Sequence, residues 1–109
     1  HTLLDRIEEY LQGEEDDFAD VTVALTVPTD QRKVLETVRE IPYGQSSSVA
    51  QLTRMTPGLD DEAEDDRRAV REALTANPAP LLIPDHRVRD GPGATPPGVA
   101  SKLEAIEDI

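Results

Sequence analysis

The sequence predicts a small, mostly helical single domain, and three observations carry that prediction. Apolar residues recur three and four positions apart in successive stretches, which is the period of an amphipathic helix. Proline, glycine or acidic connectors separate those stretches. The chain's 109 residues suffice for one modest core. Aromatic residues are scarce, with only Tyr10, Phe18 and Tyr43 and no tryptophan, so the core must rest on Leu, Ile, Val and Ala.

Leu3, Leu4, Ile7, Tyr10 and Leu11 fall at helical spacing, so residues 2–12 read as a first short helix that Gly13 ends. Glu14 to Asp20 is an acidic connector, and Val21 to Val27 is β-prone. Thr29 or Asp30 is placed to cap a second helix running to about Glu40, with Val34, Leu35 and Val38 inward. Pro42-Tyr43-Gly44 is a turn. Ser48 opens a third helix carrying Val49, Leu52 and Met55, and Pro57-Gly58 breaks it. The acidic run Asp60 to Asp66 leads into a fourth helix with Ala69, Val70, Ala73 and Leu74 on one face. Its acidic start suits the positive end of the helix dipole. Asn77-Pro78 stops it, and Leu81 to Val88 is extended or turned. Asp90 to Gly98 is too rich in glycine and proline for regular structure. Val99 to Ile109 is a last helix with Leu103 and Ile106 inward. His1 reads as a trimmed start or a tag remnant.

The charge balance is extreme: 23 acidic residues against 11 basic, nine of them arginine, the only lysines being Lys33 and Lys102. One reading is a protein from a salt-rich cytoplasm, where screening makes self-repulsion cheap. The other is an acidic protein that avoids or mimics nucleic acid. The even spread of acidic residues and the depletion of lysine favour the halophilic reading. Phosphate contacts still need local positive charge, whatever the net charge. No stretch approaches the roughly 18 apolar residues of a membrane span, and no signal-peptide pattern is visible. A soluble cytoplasmic monomer without membrane contact is the expectation. The absence of cysteine rules out disulfides and leaves the compartment open.

The most specific motif is Asn77-Pro78-Ala79-Pro80-Leu81-Leu82-Ile83-Pro84-Asp85-His86-Arg87-Val88. It resembles the active-site segment of the O6-alkylguanine–DNA alkyltransferases, with Asp85 in the place of that family's nucleophilic cysteine. The resemblance extends over almost the whole chain. Ile7 to Gly13 looks like the end of the family's N-terminal domain. Asp30 to Leu35, followed by Ile41-Pro42-Tyr43-Gly44, looks like the first helix of its DNA-binding domain. The resemblance implies a winged helix-turn-helix with a small β wing over residues 28–109, and a remnant of the N-terminal domain over residues 1–27. Periodicity alone supports only the mostly helical part.

The resemblance also implies roles. Arg68, in Arg68-Ala69-Val70, matches the arginine that enters the base stack as a finger; Arg71 and Glu72 stand where two glycines normally follow. Ser48 matches the serine of a Ser-Tyr pair, but Val49 replaces the tyrosine that helps rotate the nucleotide. Asn77 matches a bracing asparagine and also reads as a helix C-cap. Thr95 stands about where a tyrosine packs on the lesion. His86 matches the histidine that relays a proton from the thiol; Ile109 stands where its acidic partner belongs, with Glu107 or Asp108 as the carboxylates able to compensate. The DNA-binding set is therefore Arg68, Arg71, Ser48 and Asn77, and the lesion pocket is Asp85, Val49 and Thr95. Pro84, His86 and Arg87 form a structural remnant of the active site. Plain helix chemistry offers Arg67, Arg68 and Arg71 another role, as salt-bridge partners of Glu64, Asp65 or Glu72.

A carboxylate is a weak nucleophile toward an alkyl carbon, and alkyl transfer needs a thiolate. The expected function is thus non-catalytic DNA binding, at alkylated guanine and with other repair proteins as partners. The alternative is an interaction or structural module that keeps the fold without DNA. A new enzyme built on Asp85 and His86 is disfavoured, since neighbouring side chains in extended backbone point to opposite faces. No spacing suggests a metal, and no cofactor is implied.

Overall fold

Thr2 opens helix α1 (Leu3–Leu11) with a capping box: its side chain accepts from the Asp5 amide, and the Asp5 carboxylate accepts from the Thr2 amide. The computed structural model describes residues 2–23 and 25–109; His1 and the Ala24 position of the β-prone stretch lie outside them. Helix α2 (Thr29–Val38) starts behind Pro28 without a side-chain cap, so Thr29 is its first residue rather than its cap. Ser48 caps α3 (Val49–Met55) as expected, forming a reciprocal box with Gln51. Helix α4 (Glu64–Thr75) has no side-chain cap, and Glu64, Asp65 and Asp66 in its first turn serve the dipole instead. Helix α5 (Pro97–Glu107) begins two residues earlier than the periodicity suggests, because Pro97 fits the first helical position, where no amide partner is needed.

Helices α2, α3 and α4 pack around one core. Val34, Leu35 and Val38 meet Val49 and Leu52, Val70, Ala73 and Leu74, with Ile41, Ile83 and Val88 closing the cluster. Of the three apolar residues that α3 carries, Val49 and Leu52 are buried and Met55 is exposed. Thr53 and Thr56 are buried instead, each hydroxyl donating to a carbonyl one turn back, Val49 and Leu52. A second, smaller cluster joins Tyr10 of α1, Phe18 of the connector and Leu103 of α5. Helix α1 and the connector as far as Val21 therefore pack with the last helix.

The mostly helical architecture stands, but the β wing does not form as paired strands. Among the described residues, β pairing is limited to two isolated bridges, Ser47 with Val88 and Pro80 with Ile83. The first is made by the Ser47 amide to the Arg87 carbonyl (2.8 Å) and the Arg89 amide to the Ser47 carbonyl (2.9 Å). Beyond it, Pro92, Pro96 and Pro97 lack the amides a ladder needs. The described residues of 21–27 form no strand either. Val23, Leu25 and Val27 instead pack as partly buried residues against the three-helix core. The segment after α4 turns at Asn77 and closes in a single 3₁₀ turn, Asp85–Arg87, which fixes where three chemically distinctive side chains point.

Candidate functional site

The 3₁₀ turn buries Asp85, His86 and Arg87 together. Three consecutive ionisable side chains can go inside only if each finds partners. They find them in two directions.

Asp85 faces the loop before α5. Its Oδ2 accepts from Asn77 Nδ2 (3.0 Å), from the Ala94 amide (2.9 Å) and, more weakly, from the Thr95 amide (3.4 Å). Its Oδ1 accepts from the Thr95 hydroxyl at 2.6 Å. The carboxylate lies at one wall of a cavity of about 410 Å³, lined also by Gly91, Gly93, Thr95, Ser101 and Glu104. An ionised carboxylate offers about four lone-pair positions, and three or four are already taken. Asp85 therefore cannot read the two donors of a guanine edge with both oxygens.

His86 and Arg87 face the other way, onto Glu107. His86 Nε2 lies 2.6 Å from Glu107 Oε2, and Arg87 Nε donates to Oε1 at 2.7 Å. The Tyr10 hydroxyl donates to Oε2, and the Gly44 amide donates to Oε1 at 3.2 Å. Arg87 also donates to the Ile41 carbonyl at 2.8 Å. Burial alone would raise the Glu107 carboxyl; hydrogen bonds from His86, Arg87 and Tyr10 override it and hold the group at about 2. Burial and the bond to Glu107 push the Tyr10 hydroxyl up, so it stays a donor. Facing an ionised acceptor, Nε2 is the ring nitrogen that carries the N–H, and among the described residues Nδ1 has no partner.

Helix α4 carries Arg67, Arg68 and Arg71 among the acidic residues Glu64, Asp65, Asp66 and Glu72. Arg68 is exposed, its side chain 60% accessible, with only a loose pairing at 3.6 Å to the more exposed Asp65. Glu64 takes both Arg67 (2.7 Å) and Arg71 (2.6 Å), and it is held below the usual carboxylate range by those two hydrogen bonds. The helical salt bridges foreseen for these arginines thus exist, but they capture Arg67 and Arg71 more firmly than Arg68. Arg68, Arg71, Glu72 and Thr75 border a shallow depression on this face.

The family model of the 6-O-methylguanine DNA methyltransferase DNA-binding domain matches residues 29–107. The chain belongs to this family. Among its relatives is a methylated-DNA–protein-cysteine methyltransferase of Methanopyrus kandleri, 34% identical over 109 residues, covering 98% of this chain and 78% of that protein. One of the same name from Metallosphaera sedula is 31% identical, over 96% of this chain and 64% of its own length. A Thermus thermophilus protein named DNA base-flipping protein is 39% identical over 83 residues, 75% of this chain and 52% of that one. These 109 residues hold no cysteine.

The structure places each side chain that the sequence singled out. Of the two carboxylates beside Ile109, Glu107 is the one that meets His86. Ile109 lies past the left-handed Asp108 that ends α5 and is exposed. Glu107 follows the buried Leu103 by four residues and shares its face, which selects it over Asp108. Tyr10, read only as a helix residue, is a second partner of Glu107. Asn77, placed among DNA-facing residues, is buried and donates to the Ile83 carbonyl (2.8 Å) and Asp85, so it braces the segment from inside. Val49, assigned to the pocket, does not line it but belongs to the three-helix core. Ser48 is spent as the cap of α3 and stays half-buried, while Thr95 and Asp85 do meet in the pocket as assigned.

Proposed function

We propose that this chain binds double-stranded DNA without accepting an alkyl group, as a non-catalytic member of the methyltransferase family. In this reading α3 and α4 act as a helix-turn-helix pair, with α4 entering a groove and the loop after the 3₁₀ turn standing in place of a wing. Arg68 is the intercalating finger, in the manner of inserted minor-groove side chains. Alkylated guanine is the preferred target, and the bound complex is the signal that other repair proteins read. The acidic surface suits a salt-rich cytoplasm.

The observation that carries this reading is the contrast between two positions: Arg68 projects from α4 into solvent, while Asp85 is buried with its oxygens occupied. The means of engaging DNA is retained, and the group that would react is not. The test is fluorescence anisotropy with plain duplex and with duplex carrying one O6-methylguanine, over a range of potassium chloride, together with recovery of labelled methyl from the DNA. Binding that weakens linearly in log–log salt, with the label left on the base, supports the reading. Label found covalently on the protein overturns its non-catalytic part.

One observation favours a second reading, an interaction module without DNA. Glu64 holds two of the three arginines on α4, and Asp65 flanks the third. No binding of either duplex at low salt would decide for that module.

A further inference from the structure

The glycine-rich span between the 3₁₀ turn and α5 is pinned at both ends by carboxylates. At one end, Asp90 Oδ1 accepts from the Val49 amide at 2.7 Å, fastening the span to the first residue of α3. At the other end, Asp85 gathers Ala94 and Thr95. Between them the backbone is packed without slack. A methyl on Gly91 would lie 2.9 Å from Val49 Cγ2 and 3.0 Å from Leu74 Cδ1. A methyl on Gly93 would lie 2.8 Å from Asp85 Cγ. The backbone of Gly93 is therefore laid directly against the Asp85 carboxyl group.

We propose that Asp85 is a positioning residue that latches the 91–95 loop and so sets the shape of the 410 Å³ pocket. Its side chain is needed as an acceptor facing a fixed set of donors. Around Oδ2 every partner is an N–H: Asn77 Nδ2, the Ala94 amide and the Thr95 amide. The two backbone amides cannot reverse their role, and Asn77 is held in its donor orientation by the Ile83 carbonyl and the Ala79 amide. Around Oδ1 the partner is the Thr95 hydroxyl, which can donate or accept. The requirement is thus one strong acceptor on the Oδ2 side and either polarity on the Oδ1 side. Aspartate meets it, and so does asparagine with its carbonyl toward Ala94. A thiol, a weak acceptor with one atom fewer to span the gap, does not. The pocket of this chain is accordingly built around the acceptor, and any group entering it meets a floor already closed by loop and carboxylate.

The test is backbone amide hydrogen exchange on the full chain and on Asp85→Asn, Asp85→Ala and Asp85→Cys, and it needs no DNA. Exchange reports local opening residue by residue. The Ala94 and Thr95 amides should exchange about tenfold faster or more in the alanine and cysteine variants, beyond any change shared with Leu35 and Leu74 in the helix core, as expected for the loss of buried hydrogen bonds. The asparagine variant should stay within about threefold of the parent, since its bonding pattern is preserved. Equal exchange at Ala94 in the parent and Asp85→Ala would overturn the latch. So would an asparagine variant that behaves like alanine. Should the alanine variant not fold, Thr95→Val removes one donor while leaving the carboxylate in place. It should show a weaker form of the same local signature, with Thr95→Ser restoring protection; no change at Ala94 in Thr95→Val would also overturn the proposal.

Discussion

Asp85 and Glu107 are both buried carboxylates, yet their surroundings differ in kind. Asp85 is met by neutral donors, whereas Glu107 is met by a guanidinium, an imidazole, a phenol and an amide. Removing Glu107 leaves Arg87 charged and buried with no carboxylate, only the Ile41 carbonyl and the Tyr43 ring face beside it. Glu107→Ala is therefore expected to cost about 3–5 kcal/mol of stability, the range for breaking a buried pair from one side; urea denaturation measures it, and a loss below about 1 kcal/mol would contradict the account. Asp85→Cys is expected not to restore methyl transfer. The His86–Glu107 pair is intact, so the failure would lie in the pocket, where Thr95 stands in place of a packing tyrosine and Val49 is spent in the core. Single-turnover transfer from methylated duplex checks this, and a rate well above that of a free thiol would show it wrong. Asp85 was legible from the sequence because it interrupts a long motif. Glu107 was legible only as one of two carboxylates beside Ile109, because the resemblance points to Ile109 itself. The burial of Leu103 and Glu107 on one face of α5 decides between Glu107 and Asp108.

At the scale of elements, the proposed DNA binding turns on α4. Arg68→Ala should weaken duplex binding at every sequence and reduce the slope of log affinity against log salt by about one. An unchanged slope would mean that Arg68 does not meet phosphate or groove. Helices α2, α3 and α4 were readable because their apolar spacing and the Ser48 capping box are local signals. The missing ladder of the wing was not. The resemblance suggested strands, while the prolines between Asp90 and Gly98 dictate an irregular loop held by side chains. The β-prone run at 21–27 has the right residues for a strand, but propensity without a neighbouring strand gives no sheet.

The whole molecule carries a formal charge of −12. Like charges repel in the folded state, and the Debye length falls from about 10 Å at 0.1 M to about 3 Å at 1 M salt. Melting temperature should therefore rise with potassium chloride; a flat or falling curve would contradict the salt-adapted reading. The pH dependence follows from Glu107. Its folded-state value is depressed to about 2, below the unfolded value of about 4.3. Its contribution is thus complete above the unfolded value and is lost as pH falls through about 2. The stability gap between parent and Glu107→Gln should narrow progressively from about pH 5 to pH 2. A gap constant over that window would show that the ionised carboxylate is not what matters.

The bond from Tyr10 to Glu107 joins residues 97 positions apart. During synthesis it cannot close until residue 107 has left the ribosome, by which time α2, α3 and α4 are already free to pack on one another through contacts nearer in sequence. Until then Arg87 and His86 have no carboxylate to meet, and the 3₁₀ turn that carries them has no charge balance for burial. A nascent chain stopped just short of Glu107 should hold a formed three-helix core beside an open, protease-sensitive segment around Pro84 to Val88. Release of the last turn of α5 would then seat α1 and bury the 3₁₀ turn in a single step.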